Sequence, residues 1–169
     1  MNDRKIKKLV LSSVFAAIVC VATAVFSFPL AGRGYANLGD CFVIISGGLI
    51  GSWWGFAAAA VGSALADIIL GYAVYAPATF VIKGIMALAV FYIAAKSGKI
   101  SVIKTAFAAI IAEIIMIAGY FLFELAVFGA GVAIPDVLGN AMQGVVGAVT
   151  GSVLLSVFLK NKKLYSFFD

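Results

Sequence analysis

Within stretches that are otherwise apolar stand a few side chains able to do chemistry: Asp67, Lys83, Glu113 and Glu124, with Asp40 at the edge of one such stretch. An ionisable group at membrane depth costs roughly 2.5–3.5 kcal/mol on insertion scales, so each needs a partner or a purpose. Asp67 and Lys83 fall at similar depth on successive elements, so an Asp67–Lys83 ion pair is expected, either fixing helix register or meeting a solute. Glu113 falls near the middle of its segment. Glu124 falls near an end, where it either reaches headgroup water or contacts a ligand. Asp40 opens a segment, where a carboxylate caps free N–H groups and suits the helix dipole. Asn140 and Gln143, three residues apart, share one helix face. Amides there either bridge helices or hydrogen-bond a heterocyclic or hydroxylated solute. Tyr35, Tyr72, Tyr75 and Tyr120 add aromatic faces, although tyrosines are also ordinary interface residues.

The chemistry these types support is capture of a small polar solute by a few placed polar groups between apolar walls. Bond-making has little support. The chain has no histidine, so no Ser/His/Asp set and no metal-ligand spacing exist, and neither catalytic residues nor a metal are expected. Cys20 and Cys41 lie in or beside apolar segments and imply no disulfide framework. No glycine-rich phosphate loop ending in Lys-Ser/Thr occurs, so ATP is not expected to be used by this chain. No cofactor of its own is expected either.

The elements that must position these groups are membrane helices. Of 169 residues, 64% are hydrophobic and 11% charged, against roughly 25% charged in a soluble domain. A water-soluble fold of this size would leave a large apolar patch exposed. The chain reads as one all-α integral membrane domain, a bundle of six transmembrane helices at roughly 9–27, 41–51, 55–71, 77–96, 104–128 and 135–159. The first apolar stretch has about the 20 residues a span needs and no clean small-residue cleavage site behind it, so it reads as a retained helix. Pro29 stops it. The stretch from Cys41 to Leu70 is too long for one span, and the Trp53-Trp54 pair marks an interface, so it divides at Gly51–Gly55.

The net charge of +5 would suggest nucleic acid only if the positions were ignored. Arg4, Lys5, Lys7 and Lys8 lie before the first helix, Lys96, Lys99 and Lys104 after the fourth, and Lys160, Lys162 and Lys163 after the sixth. With six spans all three groups share one side, expected to be the cytoplasm together with both termini. Arg33 stands alone opposite. Asp67, Tyr72, Tyr75, Lys83, Glu124, Asn140 and Gln143 then map to the outer half and are expected to form an outward-opening pocket. A channel would place polar groups at all depths, so a stand-alone channel or facilitator is the alternative reading. A membrane-embedded enzyme lacks candidate groups.

Four stretches carry a family resemblance: Tyr35-Ala36-Asn37-Leu38-Gly39-Asp40, Gly51-Ser52-Trp53-Trp54-Gly55-Phe56, Gly62-Ser63-Ala64-Leu65-Ala66-Asp67, and the run Gly71-Tyr72-Ala73-Val74-Tyr75-Ala76-Pro77 continuing to Lys83-Gly84. Together they resemble the substrate-binding S components of energy-coupling factor (ECF) vitamin transporters, and are most similar to the hydroxymethylpyrimidine and pyridoxine branch. The resemblance implies a six-helix subunit of the bacterial plasma membrane that binds a vitamin or precursor near the outer face. It further implies a transmembrane coupling subunit and two cytoplasmic ATPase subunits as partners, with ATP used by those partners. In such proteins the first helix carries an Ala-x-x-x-Ala-type docking face, and the nearest match is Ser12, Ala16, Cys20 and Ala24, with sulfur standing where a second alanine is usual. Small residues at that spacing also serve packing within the bundle. Because pockets in such proteins draw on the loop after the first helix, the resemblance adds Asn37 to the expected pocket, and the loop from Pro29 to Asp40 is expected to close the cleft.

Overall fold

A computed structural model describes residues 3–96 and 101–161 together with Phe168. Lys99, Lys162 and Lys163, which the charge argument uses, lie outside the described residues, as do Met1 and Asn2. Among the described residues six α-helices follow in chain order: α1 (Asp3–Val25), α2 (Asp40–Ile50), α3 (Ser52–Ile69), α4 (Ala76–Val90), α5 (Val102–Val127) and α6 (Ala130–Lys160). A short hairpin, β1 (Ser27–Pro29) and β2 (Tyr35–Asn37), separates α1 from α2. Its strands pair antiparallel with Ser27 opposite Asn37 and Pro29 opposite Tyr35. Proline cannot donate to a ladder, and the next bond falls to Leu30, whose N–H donates to the Gly34 carbonyl at 3.0 Å.

Six helices agree with the expected number, but they are not six equal spans. Five are long and apolar enough to cross a membrane, taking α4 with its π-helical continuation Phe91–Ala95 as one. The second has only 11 residues, a rise of roughly 16 Å, about half a hydrocarbon core of ~30 Å. The α2–α3 turn comes at Gly51, whose φ of 95° suits glycine, and Trp53 and Trp54 already lie inside α3. At the other end of the chain α6 begins five residues before Pro135, at Ala130. Proline at that point forfeits only a bond to the carbonyl of Gly131, an exposed residue, so the extra turn survives.

The bundle is apolar on its outer surface as well as in its core, where Val43, Ile44, Met86 and Leu155 are buried. Ile103 is 81% exposed and Leu138 71%, while Asp40, Asp67, Lys83, Glu113, Glu124 and Asp136 are buried. Lipid satisfies the outward apolar side chains, so close backbone approach takes over the role of hydrophobic drive. At Gly47 of α2 an added Cβ would lie 2.3 Å from the Ala87 carbonyl oxygen of α4. Contacts along the bundle define two ends. Lys8 of α1 donates to the Ile50 carbonyl at 3.1 Å, and the Thr105 and Ser156 hydroxyls lie 2.7 Å apart. The other end gathers the hairpin, the Gly71–Tyr75 turn and the junction between α5 and α6.

Candidate functional site

The hairpin end covers a small cavity with room for about 20 Å³, roughly one water molecule. Gly34, Tyr35 and Asn37 of the hairpin cover it; Asp67 of α3, Tyr75 and Thr79 from the start of α4, Tyr120 and Glu124 of α5 and Asn140 of α6 form its walls. Every wall group arrives by ordinary helix geometry. Thr79 sits about one turn below Tyr75, and Tyr120 one turn below Glu124, so each pair lies on one face.

Two tyrosines tie two carboxylates. The Tyr35 hydroxyl donates to Asp67 Oδ1 at 2.5 Å, and the Tyr75 hydroxyl donates to Glu124 Oε1 at 3.2 Å. Burial, reinforced by the Asp67 charge, pushes the Tyr35 phenol far above its ordinary range. Burial, then the Glu124 charge, does the same to Tyr75. Both phenols therefore stay protonated and donate. The hydroxyls of Thr79 and Tyr120 pair with each other at 3.0 Å. The second oxygens, Asp67 Oδ2 and Glu124 Oε2, are buried with no hydrogen-bond partner among the described residues.

Beside the cavity lies a second polar cluster. Lys83 forms an ion pair with Asp40; the Gln143 amide donates to Asp40 Oδ2 at 2.5 Å; the Asn37 backbone N–H donates to Gln143 Oε1 at 2.7 Å. Asn37 closes the series by accepting from the Gly39 N–H at 2.8 Å. The Lys83 ammonium also lies 5.4 Å from the centre of the Tyr120 ring, so this cluster supports a cavity wall. Glu113 of α5 is 3% exposed, and neither of its oxygens has a hydrogen-bond partner among the described residues. It packs against Gly147, where a Cβ would fall 2.3 Å from Glu113 Oε1.

A third contact holds the hairpin down. Asp136 of α6 accepts the backbone N–H groups of Gly32 at 2.5 Å, Arg33 at 3.1 Å and Gly34 at 2.9 Å. Three donors converging on one carboxylate form an anion nest. Glycine at 32 permits it, since a Cβ there would lie 2.6 Å from the Asp136 carboxyl. The Arg33 side chain turns away, its guanidinium 5.3 Å from the centre of the Phe128 ring.

The expected residues therefore divide. Asn37, Asp67, Tyr75, Glu124 and Asn140 line one cavity. Tyr72 stands behind it, its ring 4.7 Å from that of Tyr35. Lys83 and Gln143 are not wall groups and act through Asp40. Two expectations are corrected. Lys83 pairs with Asp40 rather than Asp67, because α2 packs against α4 and brings its first turn to the ammonium. Asp40 makes no cap: the cap position is Gly39, without a side-chain bond, and the carboxylate points into the bundle. Thr79, Gly34 and Asp136 went unnoticed among the site residues; the glycine spacing of Gly32-Arg33-Gly34 is the signal that could have suggested an anion-binding turn.

The stripe on α1 lies at the margin of the α1–α3 contact. Ser12 is buried and donates to the Trp54 carbonyl at 2.9 Å. Ala16, Cys20 and Ala24 are half-buried, and the Ala16 carbonyl packs on Gly62 of α3. The more exposed face alongside carries Ser13, Val14, Ala17, Ile18 and Val21.

Comparison with known proteins agrees with this architecture. A protein from Pyrococcus woesei, described as "Uncharacterized protein in gap 3'region", is 32% identical over 144 residues, covering 85% of this chain and 95% of its own length. Residues 3–160 match the family model described as "ECF-type riboflavin transporter, S component". The sequence resemblance pointed to the same class of subunit through a different branch. Such subunits bind a small molecule and work with further ECF transporter subunits, without catalysing a reaction themselves. The chain accordingly belongs to the ECF-type riboflavin transporter S component family, as a multi-pass membrane subunit of a transporter and not an enzyme.

Proposed function

We propose that this subunit captures a small aromatic heterocycle, of the hydroxymethylpyrimidine or pyridoxine kind, at the outer face of a bacterial plasma membrane. A transmembrane coupling subunit and two cytoplasmic ATPases then drive its uptake with ATP. The observation that carries this reading is the covered cavity, in which aromatic walls from Tyr35, Tyr75 and Tyr120 surround the polar groups of Asn37, Asp67, Glu124 and Asn140. Orientation is supported by charge: Arg4, Lys5, Lys7 and Lys8 belong to the first turns of α1 at the end remote from the cavity, and basic residues concentrate on the cytoplasmic side.

A single ring asks for the smallest opening: the closed cavity has room for about 20 Å³, roughly one water molecule, so any solute enters only as the hairpin or the walls move. Riboflavin, the solute in the matching family's name, has a three-ring system and a ribityl chain and is the second reading; it requires the hairpin to lift. Docking of the coupling subunit is assigned to α1, on the Ser12, Ala16, Cys20 and Ala24 stripe and the exposed face beside it.

Thermal stabilisation of the detergent-purified chain tests the proposal. A ligand at a hundred times its Kd adds about 2.7 kcal/mol. A clear shift with hydroxymethylpyrimidine or pyridoxine is expected; a shift with riboflavin alone favours the second reading, and no shift with any of the three contradicts both.

A further inference from the structure

The cavity has a sign. Among its lining residues are two carboxylates, Asp67 and Glu124, and neither a lysine nor an arginine. The cations nearby are engaged elsewhere: Lys83 with Asp40, and Arg33 over the Phe128 ring. Each carboxylate is half satisfied. One oxygen accepts from a tyrosine; the other, on a residue 1–2% exposed, accepts no hydrogen bond among the described residues. Thr79 stands beside Asp67, but its hydroxyl is shared with Tyr120. Asp136 stands beside Glu124, with its oxygens already taken by three backbone N–H groups, so it adds negative potential and offers no donor.

Buried acceptors of this kind are costly when unmade, and two of them on residues that line one cavity select for a complementary ligand. We propose that the solute presents N–H donors, or a positive charge shared over them, to Asp67 Oδ2 and Glu124 Oε2: an amino-substituted nitrogen heterocycle such as an aminopyrimidine or aminomethylpyridine. The same oxygens reject solutes carrying a phosphate or carboxylate. They also discriminate against rings that carry a carbonyl oxygen where the amino group would be, since two acceptors then face each other. A site built around polar partners rejects the analogue lacking them far more strongly than an apolar pocket rejects a misfit. This assignment rests on the reading of the cavity as the solute site.

Matched ligand pairs test it on the detergent-purified full chain. Hydroxymethylpyrimidine is titrated against the same ring with oxygen replacing its amino group, and pyridoxamine against pyridoxine and pyridoxamine phosphate. The amino member of each pair should bind about 10–100-fold more tightly, with the phosphate ester showing no saturable binding. In Asp67→Asn and Glu124→Gln, whose amide oxygens still accept the tyrosine bonds, the preference should fall towards unity. The unmodified chain alone decides the matter if a variant does not fold. Equal or tighter binding of the oxo or phosphorylated partners overturns the donor assignment and leaves the solute site standing. Binding of none of these rings overturns the cavity as a site for such heterocycles, and this assignment with it.

Discussion

Replacing Lys83 by methionine would leave the Asp40 carboxylate, itself 0% exposed, in the bundle without its cation. Breaking a buried pair from one side costs about 3–5 kcal/mol, because the remaining charge is uncompensated, whereas removing both charges is often nearly neutral. Lys83→Met should therefore lower the melting temperature in detergent by roughly 6–20 °C, at about 2–4 °C per kcal/mol for a chain of this size. Adding Asp40→Asn should restore most of it, since the asparagine oxygen still accepts from Gln143. The double-mutant cycle should give a coupling above about 2 kcal/mol for Asp40 with Lys83 and below about 1 kcal/mol for Asp67 with Lys83. A harmless Lys83→Met, or a larger coupling to Asp67 than to Asp40, would refute the pairing and the role assigned to Lys83 outside the cavity.

Asp136→Ala should release the hairpin: amide exchange at Gly32, Arg33 and Gly34 should accelerate and solute affinity fall about tenfold or more, and unchanged exchange would exclude Asp136 as the latch. Gly47→Ala should destabilise by about 1–3 kcal/mol because the Ala87 carbonyl must move, while Gly131→Ala, with open space around it, should be neutral or slightly stabilising in the same melts. Because Tyr35 and Tyr75 hold their protons more tightly when folded, the folded chain binds more protons than the unfolded one above the ordinary phenol pKa of about 10. Stability should therefore be full below that pH and fall above it by about 1.4 kcal/mol per unit for each tyrosine. Denaturant melts across that range should show a shallower fall in Tyr35→Phe, and an identical fall would contradict it. A bulky residue at Ala17 on the exposed face of α1 should spare solute binding and block ATP-driven uptake by the assembled transporter; normal uptake would remove that face from the docking surface.

What could be read from the sequence depended on whether the signal was local. Apolar length locates α1, α3, α4, α5 and α6, because a span demands it whatever the partners are. The depth of Asp67, Glu124 and Asn140 followed from the same count, and the cavity does unite them. Rotation about each helix axis was not legible. In lipid both the outer and inner faces are largely apolar, so the periodicity that marks a buried face in water is weak. That is why Lys83 was assigned to Asp67: both sit at one depth, and only packing shows that α4 turns the ammonium towards Asp40, 43 positions earlier. Asp136 escaped notice because its partners are backbone N–H groups about a hundred residues away, and no side-chain pattern announces them.

The central claim, that the chain alone captures a solute in the cavity under the hairpin, is tested most directly by equilibrium binding to the purified subunit without ATP or partners. The account predicts saturable binding of one amino-substituted heterocycle per chain, abolished by Asn140→Leu in a variant that still purifies as a folded membrane protein. Contradiction would be a chain that binds nothing in this assay yet lets the same solutes pass freely across liposomes into which it alone has been inserted.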